Sequence, residues 1–130
     1  MDVYDGFHPG QRGDEEVARA KAEYEVIFAA LAPHQQVMLV PGTFGCSNAT
    51  VPGLPASVSD AQVATKLEAY FAWMKTDKRI AGINPWHWND RGHSQHGKEF
   101  CDMTLGAGQF PETTKVLRAI GKWIVFKNTF

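Results

Sequence analysis

The chain has few of the features that assign a protein to a class at sight. Its 130 residues include only two cysteines, Cys46 and Cys101, so no dense disulfide framework replaces a hydrophobic core. No apolar run approaches the ~20 residues that a membrane span requires. The formal net charge is −1, and no strongly basic stretch advertises nucleic acid or an anionic membrane as partner. The amino-terminal residues 1–6 are acidic and lack the apolar segment of a signal peptide. There is no Gly-rich phosphate loop, Gly-x-Ser-x-Gly elbow, Cys-x-x-Cys pair or His-Glu-x-x-His motif. Nothing therefore calls for a cofactor, and none is expected.

What is present describes an ordinary globular chain, 44% hydrophobic and 21% charged, long enough for one domain with a modest core. The compartment stays open. Asn48-Ala49-Thr50 is a glycosylation sequon. Cys46 and Cys101, if paired, would close a loop of about 56 residues and contribute roughly 4 kcal/mol in the chain-entropy model. Two independent reduced thiols are the other reading, because sequence does not show whether the sulfurs meet.

Strand and helix signals alternate along the chain. Residues 2–5 form a short expected strand, followed by Gly6-Phe7-His8-Pro9-Gly10. Residues 14–32 read as a helix: Val17, Ala20, Tyr24, Ile27, Phe28 and Leu31 recur at helical spacing, and Asp14, Glu15 and Glu16 favour its positive amino end. The apolar run 37–40 reads as a buried strand, stopped by Pro41-Gly42. A long loop follows. Ser59 or Asp60 then caps a helix whose stripe is Val63, Leu67, Tyr70, Phe71 and Met74. Ile80 to Ile83 is the next strand, and a second long loop leads to a helix opened by Pro111 and Glu112. Its apolar face is Val116, Leu117, Ile120, Trp123 and Ile124.

This order predicts an α/β fold of three consecutive β-α units with parallel strands and right-handed crossovers, a single partial barrel domain over residues 1–130. Short connectors lead into the strands and long ones lead out, which places the elaborated loops on one face, as in β/α barrels. Three units cannot close a barrel of eight. Open parallel edges invite association, so self-association or a longer parent chain is expected to complete the fold.

The richest stretch for chemistry is 79–91. Its strand ends at Asn84-Pro85, since Pro85 has no N–H for the ladder, and then Trp86, His87, Trp88, Asn89, Asp90 and Arg91 follow at once. Flat aromatic faces beside short polar groups suit a polar ring-shaped ligand such as a sugar; a hydrophobic corner covering the sheet end is the other reading. Phe44, Trp86 and Trp88 would stack on sugar rings, and His87, Asn89, Asp90 and Arg91 would bond to hydroxyls. Asp5 and Asp90 are the candidates for proton transfer in any hydrolysis. Asp5 before Gly6 also suits a plain turn former, and Asp90 and Arg91 can simply pair with each other. His87, His93, His96, Cys101 and Asp102 raise a metal-dependent hydrolase as a further alternative, although no metal motif accompanies them. Gly106-Ala107-Gly108 reads as a hinge or as an anion site at the start of the last helix.

Val3-Tyr4-Asp5, Leu39-Val40-Pro41-Gly42-Thr43-Phe44 and Ile83-Asn84-Pro85-Trp86-His87-Trp88 together resemble the last three units of a glycoside-hydrolase-like TIM barrel. The resemblance spans nearly the whole chain as an architecture with a few motifs. It implies an aromatic floor for a sugar subsite at the last strand, where Trp86 or Trp88 stands. It also implies a carboxylate nucleophile at the preceding strand end, and Pro41-Gly42-Thr43-Phe44-Gly45 has none. The acid/base residue of such barrels would fall outside this chain. Glycoside hydrolysis ordinarily needs two carboxyl groups flanking the scissile bond. Carbohydrate binding or hydrolysis at the strand-end loops is the expectation; a non-catalytic truncated barrel serving as a binding or assembly module is the alternative.

Overall fold

A computed structural model of the chain describes residues 13–43, 45–46, 59–85, 91–92 and 104–129. Three helices make up most of it: α1 (Gly13–Ala30), α2 (Asp60–Thr76) and α3 (Pro111–Thr129). Between them run the short strands β1 (Val37–Leu39), β2 (Gly45–Cys46), β3 (Ile80–Ile83), β4 (Arg91–Gly92) and β5 (Thr104–Leu105).

The helices form where apolar spacing and end signals agree. Ser59 caps α2 with a reciprocal pair of bonds: the Gln62 N–H donates to Ser59 Oγ at 3.2 Å, and the Ser59 N–H donates to Gln62 Oε1 at 2.8 Å. The helix then buries Val63, Ala64, Lys66, Leu67, Tyr70, Trp73 and Met74. α2 lies between the other two helices and packs on both. Against α1, Trp73 meets Tyr24 at 5.7 Å and Phe28 at 6.2 Å, both edge to face. Against α3, Phe71 meets Trp123 edge to face at 5.9 Å. Such aromatic pairs contribute about 0.5–1.5 kcal/mol each beyond the area they bury. Leu39 and Ile80 bring the strands into the same core, and Ile120 represents α3 in it.

β1 and β3 pair in parallel, with Val37 opposite Ile80, Met38 opposite Gly82 and Leu39 opposite Ile83. The register shifts between Val37 and Met38. Bonds beyond the strands extend the pairing: the Val37 N–H donates to Arg79 O at 2.8 Å, and the Asn84 N–H to Leu39 O at 2.7 Å. Since α2 is their crossover, the described residues contain one β-α-β unit. A second sheet, ordered β2-β5-β4 and antiparallel throughout, pairs Cys46 and Gly92 with Thr104, and Gly45 and Arg91 with Leu105.

The expected run of three β-α units, a portion of a (β/α)8 barrel, does not form. The described residues are mostly helical, with only β1 and β3 in parallel. The alternation of signals gives the order of elements, not the number of strands that pair. Here the large apolar side chains of α2 are covered by its neighbouring helices, and strands of three and four residues leave little sheet to cover. The expected first strand, 2–5, lies outside the described residues, as does Phe130.

Candidate functional site

The parallel pair gives the molecule two unlike ends. α1 finishes before β1 begins and α2 finishes before β3 begins, so the amino-terminal turns of both helices lie toward the carboxyl ends of the strands. Pro41, Gly42 and Thr43 leave β1 on that side and are all buried. The small sheet gathers the rest: β2 follows β1, β4 follows β3, and β5 between them leads to α3. The start of the first long loop therefore meets the start and the end of the second in one small sheet.

One carboxylate joins two helix starts there. Asp60, in the first turn of α2, accepts from the Glu112 N–H at 2.7 Å through Oδ2. Its Oδ1 accepts from the Thr113 N–H at 2.9 Å and the Thr113 hydroxyl at 2.8 Å. The N–H groups at a helix start have no partner within the helix and carry partial positive charge, so an anion is favoured. The anion site suggested by Gly106-Ala107-Gly108 is thus served by the protein's own Asp60. Gly106 precedes and Gly108 lies within a single 3-10 turn, Ala107–Gln109, whose Ala107 carbonyl accepts from the Thr114 hydroxyl at 3.0 Å.

A buried ion pair sits on the same side. Lys66 Nζ of α2 lies 3.4 Å from Glu16 Oε1 of α1, and the side chains are only 3% and 11% exposed. Burial strengthens their mutual attraction and makes either charge costly to hold without the other. Sequence reasoning missed this pair. The signal was there: Glu16 precedes Ala20 and Tyr24 at intervals of four, and Lys66 follows Val63 by three and precedes Tyr70 by four, so both charges stand within apolar stripes.

The opposite end is tied by Arg79. Its guanidinium bonds to Asp77 Oδ2 at 2.7 Å and Glu25 Oε1 at 2.9 Å, and it lies 3.9 Å from the Phe28 ring centroid. The hydrogen bonds from Arg79 hold the Asp77 carboxyl at a pKa of about 2, against its ordinary 3.8. This network is remote from the strand carboxyl ends and serves to fasten α1 to the turn before β3.

Of the residues expected at a sugar site, Asp5, Phe44, Trp86, His87, Trp88, Asn89 and Asp90 lie outside the described residues. Arg91 is placed by its backbone, opposite Leu105 in the small sheet. The histidine loop with His93, His96, Cys101 and Asp102 also lies outside them, and so does the question of Cys46 pairing with Cys101. Among the described residues, no group of three His, Cys, Asp or Glu side chains is gathered to hold a metal. No described helix is long and apolar enough to cross a membrane. No protein-family model, curated protein or solved structure matches this chain.

Proposed function

We propose that the chain binds carbohydrate at the carboxyl ends of β1 and β3, with residues 86–91 as the principal ligand segment. The supporting observation is the anchoring of that segment at both sides. Asn84, just before Pro85, bonds to Leu39 at the end of β1, and Arg91 pairs with Leu105 in the small sheet. Between those two anchors the sequence carries two tryptophans, a histidine, an asparagine and an aspartate. Indole faces match the apolar faces of pyranose rings, and the amide, carboxylate, imidazole and guanidinium groups match hydroxyls. Ligand sites favour the region beyond the carboxyl ends of strands in α/β structure.

Hydrolysis would require two carboxyl groups placed about the scissile bond. Asp5 and Asp90 are the candidates, while Glu16 and Asp60 are engaged with Lys66 and the start of α3. Binding without turnover is accordingly the primary reading.

Titration of a panel of oligosaccharides, followed by calorimetry and tryptophan fluorescence, tests it. Saturable binding that is lost in Trp86→Ala or Trp88→Ala, with unchanged circular dichroism, is expected. No binding across neutral, acidic and amino sugars would refute it. Release of chromophore from aryl glycosides, abolished by Asp5→Asn or Asp90→Asn, would add catalysis to binding.

A further inference from the structure

The three helices carry a graded charge across their layer. The sequence of α1 has five acidic residues, Asp14, Glu15, Glu16, Glu23 and Glu25, and two basic ones, Arg19 and Lys21; of the acids, Glu16 is paired with Lys66 and Glu25 with Arg79. In α2, Asp60 and Glu68 balance Lys66 and Lys75. In α3, Lys115, Arg118, Lys122 and Lys127 face only Glu112, a net of +3. Because α2 lies between the other two, the acidic and basic helices form opposite flanks of the molecule.

Each flank also exposes apolar surface. On α1, Ala22, Val26, Ala29 and Ala30 are exposed, Val26 at 76%. Ala22, Val26 and Ala29 are three or four residues apart and form one smooth stripe. On α3, Val125 is 67% exposed and Phe126 66%. They line a shallow groove with Gly121, Lys122 and Thr129, of about 440 Å³, and a Cβ built on Gly121 meets nothing within 4 Å. A protruding Val26 stripe and a recessed groove at Gly121 are complementary in shape as well as charge. Among the described residues, Glu23, Arg118 and Lys122 have no ion-pair partner within the chain.

We infer that the outer face of α1 on one copy docks against the outer face of α3 on a second copy, head to tail. Glu23 meets Arg118 and Lys122, and Val26 enters the groove beside Gly121 and Val125. A two-fold contact through the α3 flank would set its net of +3 against +3, which like charges resist, and one through the α1 flank would leave Arg118 and Lys122 unanswered. The heterologous contact places opposite signs together and continues the α1-α2-α3 layer from one molecule into the next. Such contacts close into rings or extend, according to the rotation each step imposes.

Two variants test the geometry, each altering one exposed face: Val26→Asp and Val125→Asp. Light scattering after size exclusion on the full chain is expected to give at least twice the single-chain mass for the unaltered protein, with dissociation as salt is raised. Each variant alone should run at the single-chain mass, with unchanged circular dichroism. Mixed together they should form a one-to-one pair, since the mixture restores one intact α1 face and one intact α3 face. A monomeric unaltered protein would overturn the inference and leave both flanks to a different partner. So would a mixture that stays monomeric, or an assembly disrupted by only one of the two substitutions.

Discussion

Replacing Asp60 by alanine removes a single carboxylate from two helix starts at once, and its effect can be worked out from the contacts. The lost acceptor leaves the Thr113 N–H without its partner at a residue that is fully buried, and leaves the Thr113 hydroxyl only the backbone carbonyl of residue 60, 3.4 Å away. A stranded buried donor costs about 1–3 kcal/mol, and loss of a capping acceptor about 1 kcal/mol. The Glu112 N–H is exposed and turns to water, adding little. Together these give a loss of about 3 kcal/mol. With a urea dependence of about 2 kcal/mol per molar, the unfolding midpoint should fall by about 1.5 M. Asp60→Asn keeps one acceptor oxygen for Thr113 but loses the charge favoured by the helix dipoles, and should cost about 1 kcal/mol. Thr113→Val, which removes the hydroxyl donor, should relieve part of the Asp60→Ala defect, giving a coupling of about 1–2 kcal/mol in a double-mutant cycle. Urea denaturation followed by far-UV circular dichroism measures all five proteins, the parent and the double variant included. An Asp60→Ala protein within about 0.5 kcal/mol of the parent, or strict additivity with Thr113→Val, would refute the reasoning.

Further outcomes rest on separate contacts. The Asp77 carboxyl is depressed to about 2 in the folded chain, so its contribution is complete above 3.8 and is lost as the pH falls toward 2. After solvent screening this amounts to about 1 kcal/mol, and Asp77→Asn should flatten the stability profile in that window; an unchanged profile would dismiss the contribution. Lys66→Met takes the opposite charge of Lys66 away from the buried Glu16 and should cost about 3–5 kcal/mol, whereas Lys66→Met with Glu16→Leu should recover most of it; equal losses in both proteins would contradict the pair. In the Val125→Asp protein, whose α3 face is left free of a second copy, Gly121→Ala fills open space within a helix and should raise stability by about 0.5–1 kcal/mol, so a lower melting temperature would count against the placement of α3.

The helices were legible because each combines a long apolar stripe with an end signal. Ser59 and Gln62 mark the start of α2, Pro111 marks that of α3, and the strand Ile80–Ile83 ends where Asn84-Pro85 requires. Assembly was not legible. Whether Tyr24 and Trp73 pack on a sheet or on each other depends on which surfaces come together, and periodicity is the same in both cases. The strands β2, β4 and β5 have two residues each, too few to carry any alternation. At the candidate site, residue chemistry singled out 86–91, while the pairing of Arg91 with Leu105 and the Asn84 bond to Leu39 have no signature in the sequence. The charges inside the core stripes, Glu16 and Lys66, went unread because stripes are scanned for what is apolar.

The order of partners along the chain has a consequence for how the molecule can be divided. α1, β1 and β2 find their neighbours in α2, β3 and β5, all of which come after residue 58. The later piece keeps its own scaffold, with α2 packed on α3 and Asp60 bonded to Thr113. The earlier piece has lost the far side of every aromatic contact that Tyr24 and Phe28 make with Trp73. Two polypeptides separated between residues 46 and 59 would therefore behave unequally. The second would act as template, and the first would become ordered only on meeting it, as a peptide does in its receptor. Split in this way, the fold becomes a reassembly reaction whose completion reports the proximity of whatever is attached to its halves.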